Sequence, residues 1–425
     1  VLFAVIVWQV GRPVRESEST TTIGYFLPGS PAEKAGMKAG DVIKEIDGKP
    51  IKRWQGMSSD SVVWRIVTSE DEKIEIKYGR DGQEHVVMVK PEIPATKIYQ
   101  RRATRQLLIE PAETPVVEKV APGSAAEKAG LRRGDFIVEA NDQPIFVFEA
   151  VADAAQANPD APLLLTVERD NQRVKLTEPL VLAPPSVEQV FENSPGALAG
   201  VRVGDRIERV NDTPVFAAHH VTQFVEERGE KPLTLHVIRD GEKLALTMTP
   251  AIPIDEKRPK LGLQFREDTL GLGLAAKVRP VHPPPLEQIR LSAMSIINTL
   301  GVIVSRKSDV GAQHLGGPLM MLRIYYVLFE TAEGWKLALW FSVLLNVNLA
   351  ILNLLPLPVL DGGHIMLALL EIVRRRPVEG RILQWVQTAC AVLLIGFMLF
   401  ITFFDVQDFF GRGGMKFAPK AGALK

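Results

Sequence analysis

The stretch best equipped for chemistry is NLLPLPVLDGGH, residues 353–364. One carboxylate, Asp361, follows an apolar run containing Pro356 and Pro358, and Gly362 and Gly363 come directly after it. Each proline removes a backbone N–H and its ring obstructs the preceding turn, so a helix entering this stretch must kink or unwind. In lipid, unwound backbone is tolerated only where protein or a water-filled cavity covers it. An ionisable residue beside such a break is a candidate functional group. Asp361 can act as a metal ligand, as a proton relay or as a cap for a helix starting at Gly362. His364, three residues on, leaves an Asp-x-x-His pair on one helix face as a further alternative. The seven histidines are His85, His219, His220, His236, His282, His314 and His364, and none belongs to a His-Glu-x-x-His sequence. The adjacent His219 and His220 are expected at a helix start as a solvated pair. Cys390 is the single cysteine, which excludes an intramolecular disulfide and a multi-cysteine zinc site.

The elements that must position Asp361 are membrane helices. No charged residue occurs in 337–360 or in 382–404, and each run exceeds the roughly 20 residues that a helix needs to cross the hydrocarbon core. The apolar residues 1–10 are too short to cross alone, and with no basic n-region they read as the end of a spanning helix cut off upstream. Arg374, Arg375, Arg376 and Arg381 lie between the two long runs, so by the positive-inside rule that loop is cytoplasmic and residues 11 to about 280 are outside. Arg412, Lys416, Lys420 and Lys425 argue the other way, but the short dense loop decides. Residues 286–306 are apolar on one face and suit the membrane interface. The averages hide all this. With 425 residues, 50 basic and 50 acidic side chains and 24% charged residues, the chain has the composition of an ordinary soluble protein of about three domains. Zero net charge argues against nucleic acid as the main partner.

A repeat organises the region before residue 280. PGSPAEKAGMKAGDVIKEIDGKPI from Pro28, PGSAAEKAGLRRGDFIVEANDQPI from Pro122 and ENSPGALAGVRVGDRIERVNDTPV from Glu192 are three copies of one motif. Ser30, Ser124 and Ser194 each precede a short helix closed by Gly36, Gly130 and Gly200, and Glu33 and Glu127 complete capping boxes in the first two. A Gly-Asp turn follows at Asp41, Asp135 and Asp205. Later comes a hairpin turn opened by Arg80, Arg169 and Arg239. Each copy is expected to be a small barrel-like α+β domain of five or six strands with two helices.

This arrangement resembles the circularly permuted bacterial PDZ domain, over roughly residues 20–94, 114–182 and 184–252. PDZ domains usually hold an extended peptide as an added strand. The segments ahead of each first strand, TTTIGYF, EPAETPVVEKV and APPSVEQV, carry no glycine-rich loop for a terminal carboxylate, so peptide capture and a spacer or gate role stay open for each copy.

The run NLLPLPVLDGG resembles the second active-site motif of the site-2 protease family of intramembrane zinc metalloproteases, in the layout of its regulator of sigma-E protease branch. PDZ domains between spanning helices are also a family feature. The resemblance implies that Asp361, in Leu360-Asp361-Gly362, is the third zinc ligand and that Asn353 positions substrate or stabilises the oxyanion. It implies Zn2+ as cofactor and multi-pass residence in the bacterial inner membrane, with the PDZ domains on the extracytoplasmic side. It implies single-span membrane proteins, such as anti-sigma-factor-like proteins, as substrates, and peptide termini as PDZ ligands. The helix with His-Glu-x-x-His is missing, so this chain alone is expected to be inactive and to be truncated upstream. The expected domains are the end of a truncated spanning helix at 1–12, the three PDZ copies, a membrane-associated amphipathic segment at 286–330, a spanning helix at 337–360 ending in the Leu-Asp-Gly motif, and another at 382–404. The alternative is a non-catalytic membrane-anchored PDZ scaffold that binds peptide termini. The codons preceding Val1 would separate the two.

Overall fold

The computed structural model describes residues 1–94, 96, 100–254, 258–266, 270–305, 308–331 and 333–410. The basic residues from Arg412 onward, and Arg306, lie outside the described residues. Helix α1 (Leu2–Val10) leads into three consecutive units with one order of elements.

Each unit begins with a strand and a four-residue helix: Ile23–Phe26 and Pro31–Lys34, Pro115–Val120 and Ala125–Lys128, Ser186–Val190 and Pro195–Leu198. The capping serines hold these helices. The Ser30, Ser124 and Ser194 hydroxyls accept the N–H groups of Glu33, Glu127 and Ala197 at 3.3, 3.2 and 3.1 Å, which satisfies a donor that the helix leaves unpaired. The Gly-Asp turn then opens a central strand, Val42–Ile46, Phe136–Ala140 or Arg206–Val210. A longer helix packs over it: α2 (Val62–Thr68), α3 (Glu149–Ala157) and α4 (Ala218–Arg228). A hairpin completes the pattern, as in Ile74–Arg80 with Gln83–Val89 and Leu233–Arg239 with Glu242–Met248. Alternation along these strands sends one face into a separate apolar core in each unit, built around Ile43 and Ile76, around Ile137 and Val167, and around Ile207 and Val237.

The two turns that recur in the sequence meet in space. Arg80, Arg169 and Arg239 each grip the buried aspartate of the Gly-Asp turn, with Nε to Oδ1 at 2.7, 2.7 and 2.8 Å and Nη2 to Oδ2 at 2.7, 2.7 and 2.8 Å. The same Nη2 donates to the carbonyl of the glycine that closes the short helix, Gly36, Gly130 or Gly200, at 2.9, 2.9 and 2.8 Å. Asp41, Asp135 and Asp205 are about 1% exposed, and a charge that deep must be paired and hydrogen-bonded. The arginine and aspartate are thus one structural device repeated three times.

Each unit also takes a strand from beyond the repeat. Ile109–Pro111 pairs with Ile23–Phe26, Leu263–Arg266 with Ser186–Val190, and Leu272–Ala276 with Pro115–Val120. The strand that finishes the second unit follows the whole of the third, so the third unit is an insertion within the second. At the base of the array Arg12–Arg15 pairs with Val278–Val281, so the chain enters and leaves the array side by side.

Below that base, α1 packs on α5 (Pro285–Val304) and on α7 (Gly334–Asn353), burying Ala4 and Val7 against Val343. In chain order α6 (Pro318–Phe329) comes between α5 and α7, and it packs on α7. After α7 come a seven-residue turn, α8 (Asp361–Arg374) and α9 (Gly380–Phe410). Two stretches are long and apolar enough to cross a membrane, the 20 residues Gly334–Asn353 and the 26 residues Leu383–Asp408. At 1.5 Å per residue they span about 30 and 39 Å. Their apolar side chains, among them Leu349, Leu393 and Leu399, point outward. The uncharged run 337–360 is not one helix: it stops at Asn353, and the Leu-Asp-Gly motif begins the next helix.

Candidate functional site

Asn353 and Asp361 stand at the two ends of the turn that carries the prolines. Asn353 is the last residue of α7 and Asp361 the first of α8. Gly362 and Gly363 are both buried, and a Cβ on either would overlap a backbone carbonyl oxygen, that of Leu354 for Gly362 and that of Leu357 for Gly363. Only glycine lets the first turn of α8 press onto the turn that follows α7, which brings the ends carrying Asn353 and Asp361 together. Gln387 on α9 donates to the Pro358 carbonyl at 3.4 Å and fixes the turn against the last helix. Gln387 lies 4 positions after Leu383, where the apolar stretch of α9 begins, or about 6 Å along the axis, so the turn sits beside the end of that stretch nearest Arg381.

The Asp361 carboxylate is exposed within this region and makes no hydrogen bond or ion pair with the described residues. Its place in the first turn of α8 suits a negative charge, because the unpaired N–H groups there carry partial positive charge. It is not the N-cap, a position that falls to Leu360. Asn348, five residues before Asn353 on α7, holds its amide oxygen buried with no partner among the described residues. Sequence reasoning passed over it. The signal was available, since an amide in an uncharged span is itself a departure from lipid chemistry.

Zinc needs three protein ligands and an open position. Asp361 belongs to no group of three or more His, Cys, Asp or Glu donors within mutual reach among the described residues. The described residues therefore do not make a zinc site at Asp361 by themselves. Among the described residues the one such group lies elsewhere, where Asp153 of the second unit meets His219 and His220 of the third. The pair is not solvated, as the sequence suggested. His220 is 2% exposed, and His219 Nε2 and His220 Nε2 lie 2.7 and 2.9 Å from Asp153 Oδ1. The correction has a plain cause: the helix start faces the neighbouring unit, which a single copy of the repeat cannot reveal.

This cluster is hydrogen-bonded rather than arranged for a metal. The Phe216 N–H donates to His220 Nδ1 at 3.1 Å, so Nδ1 is the bare nitrogen and Nε2 carries the proton. A metal-binding imidazole presents a bare nitrogen to the ion and donates through the other; His220 has the reverse arrangement. Tyr25 of the first unit packs edge-on to His219, ring centroids 5.9 Å apart, and faces Asp153. Burial, then the Asp153 charge, push the Tyr25 phenol well up. Burial resists ionisation of Asp153, but the hydrogen bonds from the two histidines, more than any charge they carry, outweigh it and hold the carboxyl at about 2. One carboxylate thereby joins all three units.

The third unit has an open groove. It lies between α4 and the edge strand Leu263–Arg266, holds about 160 Å³, and is walled by Val221, Val225, Leu261, Leu263 and Phe265. Gly262, at φ +69°, turns the backbone at its head. The equivalent position in the second unit, next to α3 and Leu270, is lined as well by Phe216, Ala217 and His219 of the third unit. The glycine-bearing loops, Leu261-Gly262-Leu263 and Leu270-Gly271-Leu272, thus follow the repeats in sequence and were missed by looking ahead of them.

An array of repeated barrel units precedes two long apolar helices, the first of which stops at Asn353 ahead of Asp361. The chain belongs to peptidase family M50, whose model matches residues 196–397, and the PDZ domain model matches residues 22–78 and 116–169. Among relatives, protease RseP of Photorhabdus luminescens is 31% identical over 51% of this chain and 99% of that sequence. Protease RseP of Yersinia pestis is 26% identical over 95% of this chain and 75% of that protein. An Agrobacterium fabrum protein provisionally named a zinc metalloprotease is 28% identical over 54% of this chain. The chain covers only 62% of that last relative's length.

Proposed function

We propose that this chain serves intramembrane proteolysis by a zinc endopeptidase. Asp361 contributes one zinc ligand, and the Asn353 amide holds an unwound substrate strand or its oxyanion. No other zinc ligand stands beside Asp361 among the described residues. The observation that carries the reading is the broken helix: an uncharged span stops at Asn353, and an unpartnered carboxylate opens the next helix after a seven-residue turn. Substrates are single-span membrane proteins of the anti-sigma-factor kind, shortened beforehand by another protease. Arg374, Arg375, Arg376 and Arg381 flank the start of α9, while the soluble array meets its other end at Asp405. With the arginines cytoplasmic, the array is extracytoplasmic, in a multi-pass inner-membrane protein. The third unit is a PDZ domain of the permuted type, and its groove takes an apolar peptide terminus as an added strand beside Leu263–Arg266. In the intact gene product, Asp361→Ala is expected to abolish zinc content by metal analysis and cleavage of a reconstituted single-span substrate. Retention of both would refute the assignment.

A further inference from the structure

The stretch joining the first and second units reaches down to the last membrane helix. Arg101 Nη2 meets Asp405 Oδ1 at 2.5 Å, and its Nη1 donates to the carbonyls of Gln313 and Leu315 at 2.6 and 3.0 Å. Its Nε lies 2.6 Å from the Asp408 carboxylate. The Asp405 side chain is fully buried. Besides Arg101 it accepts the N–H of Gly317 at 3.3 Å and of Met320 at 3.0 Å, both at the start of α6. Gly317 makes this approach possible: a Cβ there would lie 2.6 Å from Asp405 Oδ2 and 2.9 Å from Ile401 Cγ2. Arg102 and Arg105 reinforce the junction through Asp309, at 3.1 and 3.0 Å.

We propose that Arg101 and Asp405 form a latch through which the position of the PDZ array decides whether α6 stays packed on α9. Withdrawing Arg101 leaves Asp405 as a buried charge without its cation, a state that proteins strongly avoid. Asp405 must then move toward water, and the first turn of α6 loses the acceptor that holds it to α9. The other face of α6 is tied to α7, where Tyr325 Oη and Ser342 Oγ are 2.7 Å apart. Release of α6 therefore opens a path between α6, α7 and α9 toward the helix that ends at Asn353. That this path admits substrate rests on the function proposed above; the latch itself does not.

The test is amide hydrogen exchange on the full-length protein in lipid nanodiscs, read at Gly317–Met320. Arg101→Ala is expected to speed exchange there by about tenfold or more, as local opening allows, with Arg101→Lys in between. Arg105→Ala, which removes a contact to Asp309 and none to Asp405, should leave these amides unchanged. Adding Asp405→Asn to Arg101→Ala should produce no further gain beyond Asp405→Asn alone. A rise under tenfold in Arg101→Ala, or an equal rise in Arg105→Ala, overturns the latch, because a merely structural tether would loosen the connector without reaching α6. No substrate enters the measurement, so failure to find proteolysis leaves its outcome intact.

Discussion

Replacing Asp205 by asparagine should loosen the third unit and spare the first. The pair it forms with Arg239 is nearly dry on the acidic side, with Asp205 at 1% side-chain exposure against 19% for Arg239. Asparagine keeps the shape but turns an N–H₂ group toward the guanidinium, and the backbone N–H of Arg202, now 2.9 Å from Oδ2, loses its charged acceptor. Removing one partner of a buried pair costs about 3–5 kcal/mol, and the part-exposed arginine places this case near 3. At about 1.4 kcal/mol per decade that is roughly a 100-fold rise in amide exchange limited by local opening. Exchange mass spectrometry on the intact protein reads it, peptide by peptide. Strands Arg206–Val210 and Leu233–Arg239 should show the full effect. The second unit should show a smaller one, since its closing strand, Leu272–Ala276, follows the third unit's by only a few residues. A change below tenfold, or an equal change in the first unit, would refute the reasoning. The pH dependence carries a sign as well. Burial opposes ionisation of Asp205, but Arg239 and the Arg202 N–H prevail and lower its carboxyl below the ordinary range. Its stabilising contribution is therefore complete above about pH 4 and disappears as pH falls through the lowered value; the Asp205→Asn variant should lack that acid loss.

Gly363→Ala should cost about 1–3 kcal/mol as an overpacked contact, because its methyl overlaps the Leu357 carbonyl; a drop in detergent melting temperature together with lost cleavage is expected, and unchanged values of both would count against the tight turn. Asp153, held at about 2, should support contact between the units above about pH 4 and release it as pH falls toward 2. Its side chain is 41% exposed, so screening limits the effect to about 1 kcal/mol, measurable as exchange at the His219 helix start that Asp153→Asn abolishes. Val225→Asp places a charge in the apolar wall of the third unit's groove and should weaken binding of peptides with an apolar C-terminus by at least about tenfold, read by fluorescence titration; undiminished binding would move peptide capture elsewhere.

Much of this protein follows from local chemistry. The capping serines, the closing glycines and the alternating strands act within a few residues of one another, so the three repeats could be read directly from their spacing. The break at Pro356 and Pro358 is also local, since a missing N–H needs no neighbour to interrupt a helix. Other features depend on residues far apart in the chain. The Gly-Asp and Arg-Asp turns were visible as separate punctuation, but their pairing across 34 to 39 positions exists only once the strands are paired. The strand that closes each unit lies after the repeat, and for the second unit after a whole inserted domain, because hydrogen bonding between strands ignores chain order. His220 became buried and His219 half-buried for the same reason: their helix meets Asp153 and Tyr25 from two other units. Local runs with and without charge, not the overall composition, determined that there would be polar units and long apolar stretches, and spacing determined where their elements begin and stop. Only the tertiary structure decided that one aspartate near the end of the last span, Asp405, would be held by an arginine 304 residues away, since burying a charge requires a partner and folding alone supplies it.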